Sequence, residues 1–352
     1  MKRISNIYED IYNFSNLYDA YLKARKGKRY RREVLEYTRN LEENLIGLQN
    51  ELIWGMYRQG EYREFKVFIP KVRTIKALPF RDRVLQHAVN TIIEPIFEKQ
   101  FYTHSYACRK GKGLHDASKQ LKTWQFLAKK NGQKLYCLKC DIKKYFDSVD
   151  LRILYSIIKR KIKDKKFLWL VRQILEVKEK QKGLPIGNLT SQLFANVYLN
   201  ELDKFVKEEL KAKKYIRYMD DFLLFSESKE ELHNFLKRII EFLNNKLKLE
   251  LNHKTRIFPV ETGVDFVGYI HYAEYLKVRK STWKRQKKTL KNISRGFKEG
   301  KITVERLRST YASVAGHISH ADTYKLKSKL LNHYNNLLVE NKMKELERCE
   351  NE

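Results

Sequence analysis

Cysteine is scarce in this 352-residue chain, acid is in short supply, and no long apolar run occurs. Four cysteines are too few and too poorly placed for a disulfide framework. Cys137 and Cys140 form a C-x-x-C within an expected strand, where positions three apart face opposite sides. No second cysteine pair or nearby histidine completes a zinc site, so a structural role is expected for both. No apolar stretch reaches the roughly 18 residues that a membrane-spanning helix needs. The start, Met1 to Asn6, lacks the apolar segment of a signal peptide. A soluble, cytoplasmic protein with no membrane partner is expected. There is no repeat and no low-complexity linker. Asp plus Glu number 42 against 73 Lys plus Arg, a net charge of +31. An enzyme of small molecules has little use for that excess. It implies a polyanion partner, most simply nucleic acid, with an anionic membrane surface as the bland alternative. The length allows two or three domains or subdomains with a real core.

The chain is organised around Tyr218-Met219-Asp220-Asp221. Lys214 to Tyr218 and Phe222 to Phe225 are rich in β-branched and aromatic residues, and each reads as a strand. The two acids fall in a tight hairpin turn. Adjacent carboxylates repel unless a cation sits between them. An ordinary exposed Asp-Asp turn is the alternative. A second acid, Asp141, ends the strand Leu135 to Ile142, where a carboxylate is expensive unless paired or metal-bound. Asp150 is placed to cap a helix starting at Leu151.

In chain order, the first sixty residues read as helical, with Leu41, Leu45, Leu48 and Leu52 at helical spacing. Lys23 to Arg32 holds seven basic residues in ten, a solvated face or a surface for a nucleic-acid backbone. Phe65, Val67 and Ile69 alternate with Glu64, Lys66 and Phe68 and suggest a strand; Lys71 to Pro79 would return as a second. A helix opens at Phe80 and runs toward Glu94-Pro95. Cations on the ribbon, Lys71 and Arg73, with Arg81 nearby, could clamp a triphosphate, Arg73 being best placed for a forked contact. Arg109 to Gly113 forms a basic loop suited to a backbone. Gly183 to Gln192 is a glycine-punctuated loop, open to close approach by a backbone or ligand. The helix after it has Phe194, Tyr198, Leu202 and Phe205 on one face. Leu232, Phe235, Leu236, Ile239, Ile240 and Leu243 mark an amphipathic helix after a Ser228 to Glu231 capping box. Val264 to Tyr269 makes another strand. Lys277 to Arg308 holds thirteen Lys or Arg and two Glu, with Trp283, Leu290, Ile293 and Phe297 as a helical apolar face. Two more helices follow, a basic segment suited to lie along a duplex.

Together these stretches resemble the ordered motifs of a reverse transcriptase. The strand ending at Asp141 is similar to the first catalytic motif and Tyr218 to Asp221 to the paired-acid motif. Lys254 sits in the family's Leu-x-x-x-Lys-Thr position, and Phe266-Val267-Gly268-Tyr269 resembles the primer grip. The resemblance runs from about Tyr62 to the terminal helices. It implies an α+β right-hand polymerase fold: N-terminal helices and fingers over 1–134, a palm over 135–278 with finger helices interleaved near 151–190, and a helical thumb over 279–352. It implies template RNA, a cDNA or DNA primer, dNTPs, and two Mg²⁺ ions, with Mn²⁺ as substitute. Asp141 and Asp220 would bridge the ions with the Ile142 carbonyl as a further ligand, and Asp221 would support them. Phe146 matches the steric gate, with a core Phe as the alternative; Gln192 would lie near the incoming base pair. Lys254 would protonate or shield pyrophosphate, unless it is a plain surface lysine. His317 and His320 read as packing residues.

The form Ile186-Gly187-Asn188-Leu189-Thr190-Ser191-Gln192 departs from the common Gln-Gly-x-x-x-Ser-Pro. It resembles the reverse transcriptases of diversity-generating retroelements, which implies a small basic accessory protein, error-prone copying at template adenines, and a bacterial or phage setting. Group II intron-type, retron and defence-associated enzymes are the rivals. A nucleic-acid-binding protein with a degenerate polymerase fold is another, against which the intact Asp141, Asp220 and Asp221 argue.

Overall fold

The computed structural model describes residues 3–68, 72–176 and 181–350, the side chains of 341–350 excepted. The expected phosphate contact Lys71, with Ile69 and Pro70, lies outside the described residues. Four helices open the chain: α1 (Tyr8–Tyr12), α2 (Phe14–Ala24), α3 (Arg32–Arg39) and α4 (Leu41–Ile53). Leu45, Leu48 and Leu52 are buried, as their spacing requires. An antiparallel ribbon follows, β1 (Arg63–Val67) against β2 (Arg73–Ala77), with Arg63 opposite Ala77 and Val67 opposite Arg73.

Next come α5 (Phe80–Glu98), α6 (Leu114–Lys130), β3 (Tyr136–Asp141), α7 (Tyr145–Ser148), α8 (Leu151–Lys161), α9 (Lys165–Leu175) and α10 (Leu189–Lys204). α5 does not stop before Pro95 but passes through it to Glu98. The proline falls in the last turn, so little of the hydrogen-bond ladder lies beyond it. Asp150 caps α8, accepting from the backbone N–H groups of Arg152 and Ile153 at 2.9 and 3.1 Å. α10 was expected to bury one face, but Thr190, Ser191, Asn196, Asn200 and Asp203 are buried along with its apolar residues. Two of them bond to neighbouring strands and loops: Asn196 Nδ2 donates to the Ala107 carbonyl at 2.8 Å, and Asp203 accepts from the Tyr215 hydroxyl at 2.7 Å.

The chain then forms β4 (Lys214–Tyr218), β5 (Asp221–Ser226), α11 (Lys229–Phe242), β6 (Arg256–Pro259), β7 (Val264–Phe266), β8 (Tyr269–His271), β9 (Leu276–Val278), α12 (Lys280–Lys298), α13 (Val304–Ile318) and α14 (Tyr324–Glu350). On α11, Leu232, Phe235 and Ile239 are buried, whereas Ile240 is exposed. One four-stranded sheet has the order β4-β5-β3-β6, and a three-stranded sheet the order β7-β8-β9. Cys137 and Cys140 form no disulfide and are fully buried in β3, as structural cysteines should be.

Two compact units result. The first comprises 1–113, 138–225 and 229–257; the second comprises 114–137, 226–228 and 258–352. Within the second, Leu290, Phe297, Leu307, Tyr311, Val314, Ile318, Leu330 and Leu337 form a core across α12–α14, and Trp283 and Ile293 pack partly buried against it. β7–β9 belongs to this unit, and Ser118 on α6 hydrogen-bonds His271 on β8 at 2.7 Å. No described helix is long and apolar enough to cross a membrane.

Candidate active site

β4 and β5 pair from Lys214 opposite Phe225 to Tyr218 opposite Asp221, which leaves Met219 and Asp220 as a two-residue turn. Met219 has φ 57°, the left-handed region that tight hairpins need at their first central position. The strands are buried through Tyr215, Ile216, Arg217, Phe222, Leu223 and Leu224, so the turn stands on a rigid base.

Inside that base Arg217 is fully buried. Its Nε and Nη2 donate to the two carboxylate oxygens of Asp203 on α10, at 2.7 and 2.6 Å. Its Nη1 donates to Asn196 Oδ1 at 3.2 Å and to the Met219 carbonyl at 3.1 Å. The Tyr215 hydroxyl donates to Asp203 Oδ1 at 2.7 Å. Burial by itself pulls the Arg217 pKa down, but the Asp203 carboxylate overrides it and leaves the pKa raised. Burial, then the charge of Asp203, lifts the Tyr215 phenol far above its ordinary value, so it stays a donor.

Asp141 ends β3 beside this turn. The Ile142 N–H donates to the Asp220 carbonyl at 3.3 Å, which sets the two strand ends together. From the other side, Leu251 pairs with Ile142, the Asn252 N–H donates to the Asp141 carbonyl at 2.7 Å, and Asn252 Nδ2 donates to Asp141 Oδ2 at 3.0 Å. Asp141 and Asp220 are each half-buried. Asp221, by contrast, lies 3.6 Å from Lys139 Nζ. Among the described residues no three His, Cys, Asp or Glu side chains converge as a ready-made metal cage. Two carboxylates on adjoining strand ends, with the Ile142 carbonyl nearby, are an all-oxygen donor set. That set suits Mg²⁺ or Mn²⁺, hard cations that keep several ligands for water and phosphate.

The other candidates divide. Phe146 is half-buried on α7 rather than a core residue, its ring edge-on to Tyr145. Gln192 is exposed at the start of α10 and shares a cleft of about 410 Å³ with Tyr218 and His87. Lys254 is exposed, its N–H on Asn252 Oδ1 at 3.2 Å. All three belong to the first unit with Asp141 and Asp220. Arg73 is exposed at the start of β2. Arg81 is held by Glu51 at 2.7 Å and by the Arg58 carbonyl at 2.7 Å. Arg109, expected on a basic loop along a backbone, is instead buried, forked onto Glu98 and bonded to the Tyr102 and Ser105 carbonyls. Phe266, Val267, Gly268 and Tyr269 form a β7–β8 hairpin in the second unit, with φ 44° at Val267 and 93° at Gly268. The Tyr269 hydroxyl donates to the His317 carbonyl at 2.9 Å and its ring stacks on His317, a packing role for that histidine.

The loop before α10 is approached by backbone rather than ligand at its glycine. The Lys76 N–H of β2 donates to the Ile186 carbonyl at 2.9 Å, and a Cβ on Gly187 (φ 130°) would stand 2.5 Å from the Lys76 carbonyl oxygen. Only glycine fits there.

Sequence reasoning missed Asn252, Lys139 and the Arg217–Asp203–Asn196–Tyr215 network. Lys139 carried a usable signal, since it lies two positions before Asp141 on the same strand face. Asp203 carried none, because an acid on an amphipathic helix normally faces water.

Paired carboxylates on adjoining strand ends of a central sheet define a candidate nucleotidyl-transfer centre. A family model described as reverse transcriptase (RNA-dependent DNA polymerase) matches residues 66–271. That is more than half of the chain, and the chain belongs to this family of nucleotidyltransferases, with their α+β polymerase fold. Protein YkfC of Escherichia coli (strain K12) is 28% identical, covering 63% of this chain and 69% of that one. Group II intron-encoded protein LtrA of Lactococcus lactis subsp. cremoris is 28% identical over 82% of this chain, which spans 59% of LtrA. Apo telomerase from Candida tropicalis aligns at a TM-score of 0.48 and 14% identity, covering 80% of this chain and 61% of that one.

Proposed function

We propose that this chain copies an RNA template into DNA. The observation that carries the reading is the Ile142 N–H to Asp220 carbonyl bond, which seats Asp141 and Asp220 side by side on rigid strand ends. In the reaction the primer 3′ oxygen bonds to the α-phosphorus, the bond to the leaving pyrophosphate breaks, and the hydroxyl proton passes to solvent water. Asp141, Asp220 and the Ile142 carbonyl would hold the divalent cations. Such ions, when bound, acidify the primer hydroxyl and neutralise charge on pyrophosphate. Asn252 keeps the Asp141 carboxylate aimed; Asp221, paired with Lys139, supports the site from behind. Phe146 lies under the sugar and excludes a 2′ hydroxyl. Arg73, Lys71 and Arg81 contact phosphate, Arg81 from the start of α5, where it also pairs with Glu51. Lys254 serves the departing pyrophosphate, Gln192 the nascent pair, and Phe266 to Tyr269 the primer.

The finer reading is a diversity-generating enzyme of a bacterial or phage system. Its support is the loop Ile186 to Gln192, pressed against β2 at Gly187. It would work with a small basic accessory protein and misread template adenine. A second reading, a group II intron-type enzyme, is favoured by the similarity to LtrA over 82% of this chain. One lost contact to the base pair is worth roughly 1–3 kcal/mol, about tenfold to a hundredfold in selectivity. Sequencing cDNA made on a defined RNA, with the accessory protein supplied, decides between them. We expect misincorporation concentrated opposite adenine, and substitutions at Gln192 shifting that bias more than they shift extension. Equal error opposite all four bases would remove the diversity-generating reading and leave the second.

A further inference from the structure

We infer that Arg217 is a positioning residue, which fixes the Met219–Asp220 turn, and with it the Asp220 carboxylate, against α10. The inference rests on the reading of Asp220 as a cation ligand.

Three observations carry it. Met219 sits at φ 57° without being glycine, a conformation that persists only where surroundings enforce it. Arg217 Nη1 reaches this residue's carbonyl from the protein interior, donating to it at 3.1 Å. That same guanidinium is locked to a single helix, forked onto Asp203 and touching Asn196. Its backbone is clamped as well: Arg217 N–H donates to the His104 carbonyl at 2.9 Å, and Tyr106 N–H to the Arg217 carbonyl at 3.0 Å. Asn196 extends the clamp through Nδ2 to the Ala107 carbonyl at 2.8 Å.

Arg217 and Asp203 are both essentially without solvent exposure. A fully buried ion pair is a poor way to gain stability, since a well-packed apolar pair serves as well or better. What an apolar pair cannot supply is direction. A planar fork with five N–H groups can satisfy Asp203, Asn196 and the Met219 carbonyl at once; a lysine ammonium is a point charge and cannot span all three. The arrangement therefore ties the height and tilt of the catalytic turn to α10, the helix that also presents Gln192.

The test uses the full chain with three substitutions, Arg217→Lys, Tyr215→Phe and Asp220→Asn. Four quantities are measured: melting temperature, Mn²⁺ binding by electron paramagnetic resonance, RNA affinity, and single-nucleotide extension resolved into kcat and KM. A displaced turn costs on the order of tenfold or more in rate. We expect Arg217→Lys to keep RNA affinity and dNTP KM within about twofold, to lower kcat about tenfold, and to weaken Mn²⁺ binding severalfold. Tyr215→Phe, which only loosens Asp203, should show the same pattern at a smaller size while melting near the parent temperature. A folded Arg217→Lys with parental kcat and parental Mn²⁺ binding overturns the inference while an inactive Asp220→Asn leaves the active-site reading standing. If Arg217→Lys does not fold, Tyr215→Phe decides by the same two readouts. An Asp220→Asn as active as the parent overturns both.

Discussion

Two antiparallel hairpins in this chain have nearly the same length and opposite circumstances. Along β1 every residue is exposed, Phe65 and Val67 included at 43% and 39%. Along β4 and β5 the interior residues are buried, and Phe222 and Leu224 have no exposure. The ribbon strands mix charged with apolar residues, whereas β5 carries the unbroken apolar run Phe222 to Phe225. The difference lies in what covers them. β4 and β5 lie in a four-stranded sheet bonded to α10 through Arg217 and Tyr215, whereas among the described residues the ribbon's strands pair with each other alone and touch the Ile186 carbonyl through Lys76. A hairpin sunk in a core can hold a charge in a fixed place. An exposed ribbon with Arg73 at one end can only offer charge to whatever arrives.

The sharpest way to break this contrast is at the turn. Asp220→Asn removes one of the two carboxylates proposed to share a cation site, and DNA synthesis should fall at least about a hundredfold. RNA binding, carried by the basic surface, should be unchanged; a gel-shift titration beside a primer-extension assay reads both. Near-normal extension would dismiss the site.

The packing contrast can be read with one residue type in two places. Phe222→Ala should destabilise the chain by about 3–5 kcal/mol, from lost burial plus the cavity left behind. Phe65→Ala should change stability by no more than about 0.5 kcal/mol, as a surface substitution. Denaturant melts of the two variants measure the difference; similar losses would mean that the ribbon is covered as deeply as the hairpin.

A modest effect on activity is expected of Arg73→Ala. A guanidinium that meets phosphate meets a group common to all four nucleotides, so KM should rise severalfold, roughly 1 kcal/mol, with little base dependence. Steady-state extension with each dNTP in turn tests it. Unchanged KM for all four would move the phosphate contact to Lys71.

Much of this was legible in residue order. The strand character around Tyr218 to Asp221, Asp141 at a strand end, the Asp150 cap and the apolar faces of α4 and α12 follow from periodicity and local chemistry. These are properties of neighbours along the chain, and the structure agrees with them. The basic residues fared differently. Arg73 stands exposed on its ribbon as expected, but Arg109 and Arg217 are buried against Glu98 and Asp203. A net charge of +31 makes each arginine look like a phosphate contact, yet its burial depends on a carboxylate eleven or fourteen residues away.

The sequence by itself determined the acids, their order and the turn that holds Asp220. Only the tertiary structure decided that Asn252 hydrogen-bonds Asp141, that Asp221 lies beside Lys139, that Gly187 is demanded by the Lys76 backbone, and that the Met219–Asp220 turn is tied to α10 through Arg217. The reason is physical. Helix and strand periodicity, capping and turn preference act over a few residues and leave a local signature. Hydrogen bonds and ion pairs between distant segments form only once burial has brought those segments together, and any acid or amide on a helix is chemically eligible until then.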